Sequence, residues 1–178
     1  MSLISVNTSL RALTATVFML AATSTYSQNA NPFMKFGGNW TGNGLIHLSN
    51  GTKERIRCKG GFTTSDLFSI SSMKMDLLCA GDSYKFELQS ELKHNSGEIS
   101  GTWSEMTRGF NGEVTGKING DQIHAVAASQ MFNATLELIN LGDKQQVRIT
   151  SPGSEITDVL IGLNRSGSRP APQTQPTQ

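Results

Sequence analysis

The stretch Trp103-Ser104-Glu105-Met106-Thr107-Arg108 brings an aromatic ring, an acid and a base together in a short span, and a second acid, Glu54, stands apart from it. Glu105 is in phase with Trp103, and Glu54 is in phase with Ile56. On strands, both carboxylates would therefore point the way the apolar side chains point. A carboxylate on an apolar face needs a partner, because an unpaired buried charge costs several kcal/mol. Arg108 is the nearest one for Glu105. Three readings follow. The pair closes a barrel mouth or ties down the loop before Phe110; or it supplies polar anchors at the mouth of a ligand pocket; or Glu54 and Glu105 act as acid and base in a hydrolase or isomerase.

Other chemistry is thinly represented. No glycine-rich loop precedes a helix, no His-Glu-x-x-His occurs, and no serine stands in a nucleophile elbow. His47 and His124 alternate onto outward faces, and His94 lies in a turn before Asn95-Ser96-Gly97, so the histidines read as surface groups and no metal site is expected. Cys58 and Cys79 fit no Cys-x-x-Cys spacing and have no histidine nearby in sequence. In an oxidising compartment an even pair reads as a disulfide.

The elements that must position these groups come from the rest of the pattern. Residues 1–27 read as a signal peptide: Arg11 precedes an apolar run from Ala12 to Ala22, and Thr25 and Ser27 fit the −3 and −1 positions of a cleavage before Gln28. The run is too short to cross a bilayer, and no later stretch reaches the ~20 apolar residues of a membrane helix. A periplasmic or secreted protein is expected. Removing Arg11 from 15 basic against 14 acidic side chains leaves 14 against 14. Such a balance gives no electrostatic reason to expect nucleic acid or an anionic membrane as partner. Residues 28–35 form a mature N-terminal segment, 36–165 the folded domain, and 166–178 a Pro/Gln/Thr-rich tail that cannot bury enough surface to order itself.

Within 36–165 apolar residues alternate with polar ones in runs separated by turn signals such as Ser49-Asn50-Gly51, Gly81-Asp82, Asn119-Gly120 and Leu141-Gly142-Asp143. Trp40, Gly42, Gly44, Ile46 and Leu48 share one face; Met73, Met75, Leu77 and Cys79 another; Phe110, Gly112, Val114, Gly116 and Ile118 another. The rhythm predicts an all-β chain, a single antiparallel up-and-down β-barrel or clamshell of eight to ten strands. Charged residues at mid-strand on the outward faces oppose an outer-membrane barrel, which would be apolar outside. Glycines alternating with large residues suit strong curvature and close approach of side chains across the core.

Gly38-Asn39-Trp40-Thr41-Gly42-Asn43-Gly44 resembles the opening of calycin-type barrels, lipocalins and avidins, whose Gly-x-Trp strand plugs one barrel end with its tryptophan. The longer Gly-x-Trp-x-Gly-x-Gly form is similar to that of nitrobindins, ten-stranded barrels that hold haem, and Gly101-Thr102-Trp103 is a second Gly-x-Trp of the avidin kind. The chain as a whole, with Gly51-Thr52-Lys53-Glu54-Arg55, resembles a family of small exported Gram-negative proteins of unassigned activity. Leu45-Ile46 stand where nitrobindins have Tyr-Pro, and no histidine follows His124. The resemblance thus implies the fold and not the haem, and no cofactor is expected.

The expectation is a non-enzymatic protein binding a small, partly apolar ligand inside the barrel. Trp40, Met73, Met75, Tyr84, Phe86 and Trp103 would line the pocket, with Glu105 and Arg108 near its mouth. The alternative is a barrel filled by side chains, serving as an envelope structural or interaction module, for instance through Arg55, Arg57 and Lys59. The cysteine pair generates a first test. Closing a loop of about 20 residues should contribute roughly 3 kcal/mol, so reduction should visibly lower the unfolding midpoint, and an unmoved midpoint would contradict the bridge.

Overall fold

A computed structural model of the chain describes residues 30–68 and 70–167; the signal-like segment and the tail beyond Gly167 lie outside the described residues. Ten strands follow one another: β1 (Gly38–Leu48), β2 (Lys53–Leu67), β3 (Ile70–Ala80), β4 (Lys85–Asn95), β5 (Glu98–Glu105), β6 (Phe110–Asn119), β7 (Gln122–Ala128), β8 (Asn133–Asn140), β9 (Lys144–Thr150) and β10 (Ile156–Arg165). Each pairs antiparallel with the next, and β10 returns to pair with β1, so the sheet is a closed up-and-down barrel and not an open clamshell. The inward positions are those the alternation marks: Ile56, Cys58, Met75, Leu77, Ile99, Val114, Ile123, Leu138, Val147 and Ile161 are all buried in one core. Among the described residues, no helix is long and apolar enough to cross a membrane.

Cys58 and Cys79 stand directly opposite on β2 and β3, and their sulfurs are bonded at 2.05 Å. The inward alternation of both strands brings them onto the same face, so the bridge spans neighbouring strands from inside the barrel.

The two ends differ. One is closed by the residues ahead of β1, where a 3₁₀ turn, Met34–Phe36, inserts Phe33 and Phe36 with no solvent exposure. The backbone of this plug is gripped by side chains. The Phe36 carbonyl accepts from the Trp40 indole N–H at 3.1 Å and from the Gln145 amide at 3.0 Å, and the Lys35 carbonyl accepts from Asn140 at 3.1 Å. Arg165 donates to the Gly37 carbonyl at 2.7 Å and stacks 4.2 Å above the Trp40 ring, a cation–π contact. The opposite end is open and is bordered by the five loops that join β1 to β2, β3 to β4, β5 to β6, β7 to β8 and β9 to β10.

Closure needs the glycines, for a reason the alternation alone does not reveal. A Cβ on Gly42 would lie 1.9 Å from the Gly162 carbonyl oxygen of β10, and one on Gly112 would lie 1.8 Å from that of Ala128 on β7. The crowding neighbour is the backbone of the next strand and not a side chain reaching across the core. Where the sheet coils this tightly, only a residue without Cβ fits. Gly162, across the same strand pair, has nothing within 4 Å of its own Cβ position. Gly42→Ala should therefore destabilise the barrel by roughly 2–4 kcal/mol, while Gly162→Ala stays within about 1 kcal/mol. Urea unfolding of both variants checks this, and equal midpoints would mean that the close approach is not real.

Candidate ligand-binding site

A cavity of about 420 Å³ opens at the unplugged end. It opens beside small inward residues of β7 and β8, above a tightly filled plug end. Towards the plug, inward positions carry Trp40, Met73, Leu92, Ile99, Ile123 and Leu138, all essentially inaccessible to solvent. Towards the mouth, Ala127 and Ala134 occupy paired inward positions of β7 and β8 and fall short of the barrel axis. The space they leave is walled by Met75, Leu77, Phe86, Leu136, Val147 and Val159. A ten-strand barrel is wide enough to keep such a space open, provided its inward residues do not fill it.

Three aromatic rings form the wall on the β5 to β8 side. Phe132, in the loop before β8, lies 5.8 Å from Trp103 and 5.5 Å from Phe110, edge-on to the latter. The Trp103 indole passes over Gly112 on the adjacent strand and donates to the Ala128 carbonyl at 3.3 Å. The tryptophan thus offers the cavity a ring while its one polar atom is satisfied behind it.

Glu105 ends β5 at the mouth and is 6% exposed. Its Oε1 accepts from the backbone N–H groups of Glu87 at 3.1 Å and Thr107 at 3.0 Å, and its Oε2 accepts from that of Arg108 at 2.7 Å. The Arg108 guanidinium stands 3.9 Å from Oε2, outside hydrogen-bond range. Burial on its own would raise the Glu105 carboxyl, but the Glu87, Arg108 and Thr107 donors outweigh it and hold the group below its usual range. Glu105 therefore ties the turn between β5 and β6 through backbone N–H groups, where the sequence reading has an ion pair with Arg108 doing so.

Glu54 repeats the device on β2. Its Oε1 accepts from the N–H groups of Ser83 at 2.8 Å and Tyr84 at 3.1 Å, which fixes the loop between β3 and β4. The Ser83 N–H is the main cause holding its carboxyl below the usual range, with desolvation opposing. A Cβ on Gly81 would collide with that same Oε1 at 2.2 Å, so the loop can close over the carboxylate only with glycine there.

Of the residues the sequence places at a pocket, Met75, Phe86, Trp103, Glu105 and Arg108 line this cavity. Trp40 and Met73 do not. Their inward phase is as expected, but they lie at the plugged end of their strands, beneath the cavity floor. Tyr84 is at the rim, where its hydroxyl donates to Glu155 Oε1 at 2.7 Å; that bond is the main cause raising its pKa. The β9 to β10 loop, with Ser151, Ser154 and Glu155, borders the cavity and was not anticipated. Loop parity was the available signal, since every second loop of an up-and-down barrel falls at the same end.

Each histidine has a neighbour close by, although the buried Nε2 of His47 has no hydrogen-bond partner among the described residues. His47 sits 3.8 Å from Asp158 and His124 3.7 Å from Glu137, while His94, which is on β4 and not in the turn, accepts from the Gly97 N–H at 2.8 Å. Among the described residues no group of three His, Cys, Asp or Glu could hold a metal ion.

The fold and the cavity together define a class, a closed ten-stranded antiparallel barrel with an apolar chamber open at one end. No protein-family model matches the chain, and no curated protein matches it in sequence. Solved structures do match in shape. The S-type phycobiliprotein lyase of Guillardia theta aligns with a TM-score of 0.57 at 12% identity, over 77% of this chain and 92% of the lyase. The Rv2717c protein of M. tuberculosis aligns with a TM-score of 0.53 at 13% identity, over 75% of this chain and 94% of that one. At such identities the likeness is one of fold.

The Glu105 geometry carries a prediction with a definite sign. Its folded-state pKa lies below the unfolded value, so the carboxylate's contribution is complete above that value and is lost as pH falls through the folded one. Glu105→Gln should destabilise by roughly 2 kcal/mol at neutral pH, because an amide N–H₂ would face backbone N–H donors. The gap from the unaltered protein should narrow below the unfolded value of 4.5. A gap that stays constant down to strongly acidic pH would show that the ionised carboxylate is not what holds the turn.

Proposed function

We propose that this chain is an exported, calycin-like binding protein that carries one small, largely apolar molecule in the open half of its barrel. The observation that carries the reading is the cavity itself, about 420 Å³ with an apolar wall and charged groups only at its mouth. That is the size and character of sites that enclose small molecules. A barrel meant only to be filled would not leave its large mouth-side residues standing around an open space. The bonded cysteine pair supports an oxidising compartment.

The catalytic reading of Glu54 and Glu105 gains nothing from the geometry. Each carboxylate accepts backbone N–H bonds that fix a loop, each is held in its ionised form, and Glu54 does not line the cavity. One structural neighbour is titled a phycobiliprotein lyase. At its distance in sequence that title transfers no activity, and it leaves a barrel that handles small molecules within the repertoire of the fold.

Native mass spectrometry of the protein purified from its own compartment, beside the same sample denatured, tests the proposal. The expected result is an extra mass on the folded form that vanishes on unfolding. Ala127→Trp, which places a large ring in the chamber, should abolish both that mass and uptake of a neutral solvatochromic dye by the emptied protein. A clean chain mass together with no dye uptake by the unaltered protein would overturn it.

A further inference from the structure

The polar groups at the mouth are not equivalent. Glu105 is held by three backbone N–H groups, Glu155 accepts the Tyr84 hydroxyl, and Ser90 donates to the Thr102 carbonyl at 3.0 Å. Ser151 reaches the Asn133 carbonyl at 3.4 Å, and Ser154 reaches the Ser151 carbonyl at 2.8 Å. These side chains are engaged with the protein.

Arg108 differs. Its side chain is one third exposed, it lines the cavity, and among the described residues no other Lys or Arg does. Among the described residues its guanidinium has two contacts, both through Nη1: the Lys85 carbonyl at 3.4 Å, near the limit for a hydrogen bond, and Glu105 at 3.9 Å. A guanidinium carries five N–H donors in a planar fork, so most of its donor capacity at the mouth has no protein acceptor among the described residues. Nor does Glu105 depend on it for compensation. The carboxylate's three N–H bonds come from the backbone, one of them from Arg108 itself, and would persist if the guanidinium turned to a ligand.

Building on the ligand-carrier reading, we propose that Arg108 is the head-group site, and that the barrel takes a single-chain amphiphile with an oxygen-rich anionic head. The tail fills the apolar chamber, and two head-group oxygens accept from the guanidinium fork. Carboxylate and phosphate both match that fork, and both gain from a charge-assisted, bidentate bond. Pairing also satisfies the partly desolvated guanidinium, which an alcohol or ester head would do less well.

The test is displacement of a bound neutral dye, below micellar concentrations, by four compounds with one tail: tetradecanoate, tetradecyl phosphate, tetradecanol and tetradecylamine. Carboxylate or phosphate should bind roughly ten- to a hundredfold tighter than the alcohol, and the amine most weakly. The ratio of the first two tells which anion is preferred. Arg108→Gln should remove the anion's advantage and leave the alcohol's affinity unchanged, which also shows that the variant is folded. Arg108→Lys should keep only part of it, since charge remains and the fork is lost. Equal affinities across the four would overturn the head-group site, as would an advantage that survives Arg108→Gln. Tightest binding of the amine would do the same, showing that Glu105 and Glu155 set the preference. If none of the four displaces the dye, it is the carrier reading itself that fails.

Discussion

Everything in this molecule depends on β10 finding β1. Nine hairpins in series make only a long twisted ribbon; pairing Trp40 through Leu48 with Arg165 through Ile156 converts it into a tube with an inside and an outside. That pairing demands that two backbones approach more closely than side chains allow, which explains why Gly42 faces the Gly162 carbonyl. Closure also brings the first and last strands to the same floor. The Arg165 guanidinium, at the end of β10, reaches the Gly37 carbonyl and covers the Trp40 ring. The segment ahead of β1 and the last residue of β10 are thereby joined in the plug.

A tube plugged at one end has a direction, and the two ends solve different problems. At the floor, Phe33, Phe36 and Trp40 exclude water, and Asn140, Gln145 and Arg165 satisfy the carbonyls that this burial would strand. At the mouth, loops must stay in place without a core beneath them. Two carboxylates do that work in the same manner, each collecting N–H groups from a neighbouring turn. A buried carboxylate satisfied in this way stays ionised without a salt bridge, because oriented amide dipoles replace the water it gave up. The consequence for function is that Glu105 is not available as a buried acid, whereas Arg108 beside it retains donors for something else.

The chamber between the two ends is a matter of which side chains are small. Ala127 and Ala134 face each other across β7 and β8, and the aromatic cluster of Trp103, Phe110 and Phe132 also borders the chamber. Along the chain these residues are separated by turns and by outward positions, so nothing in the linear order marks them as a group. They become one because antiparallel pairing brings residues of neighbouring strands side by side.

Period-2 alternation and turn signals were enough to predict an all-β chain, an antiparallel up-and-down order, the inward phase of each strand and the facing of Cys58 and Cys79. The reason is that each of these depends on nearest neighbours in sequence or on adjacent strands. Height along the barrel axis is different. Trp40 and Trp103 share an inward phase and a Gly-x-Trp setting, yet one is packed into the floor and the other walls the chamber. Met73 and Met75 are two residues apart, and only the second reaches the cavity. The same limit hid the backbone partners of Glu54 and Glu105, which come from a neighbouring hairpin in one case and largely from the following turn in the other. Alternation fixes the side of the sheet a residue faces; only closure and register, which couple residues more than a hundred positions apart, fix how deep it lies and what it meets there.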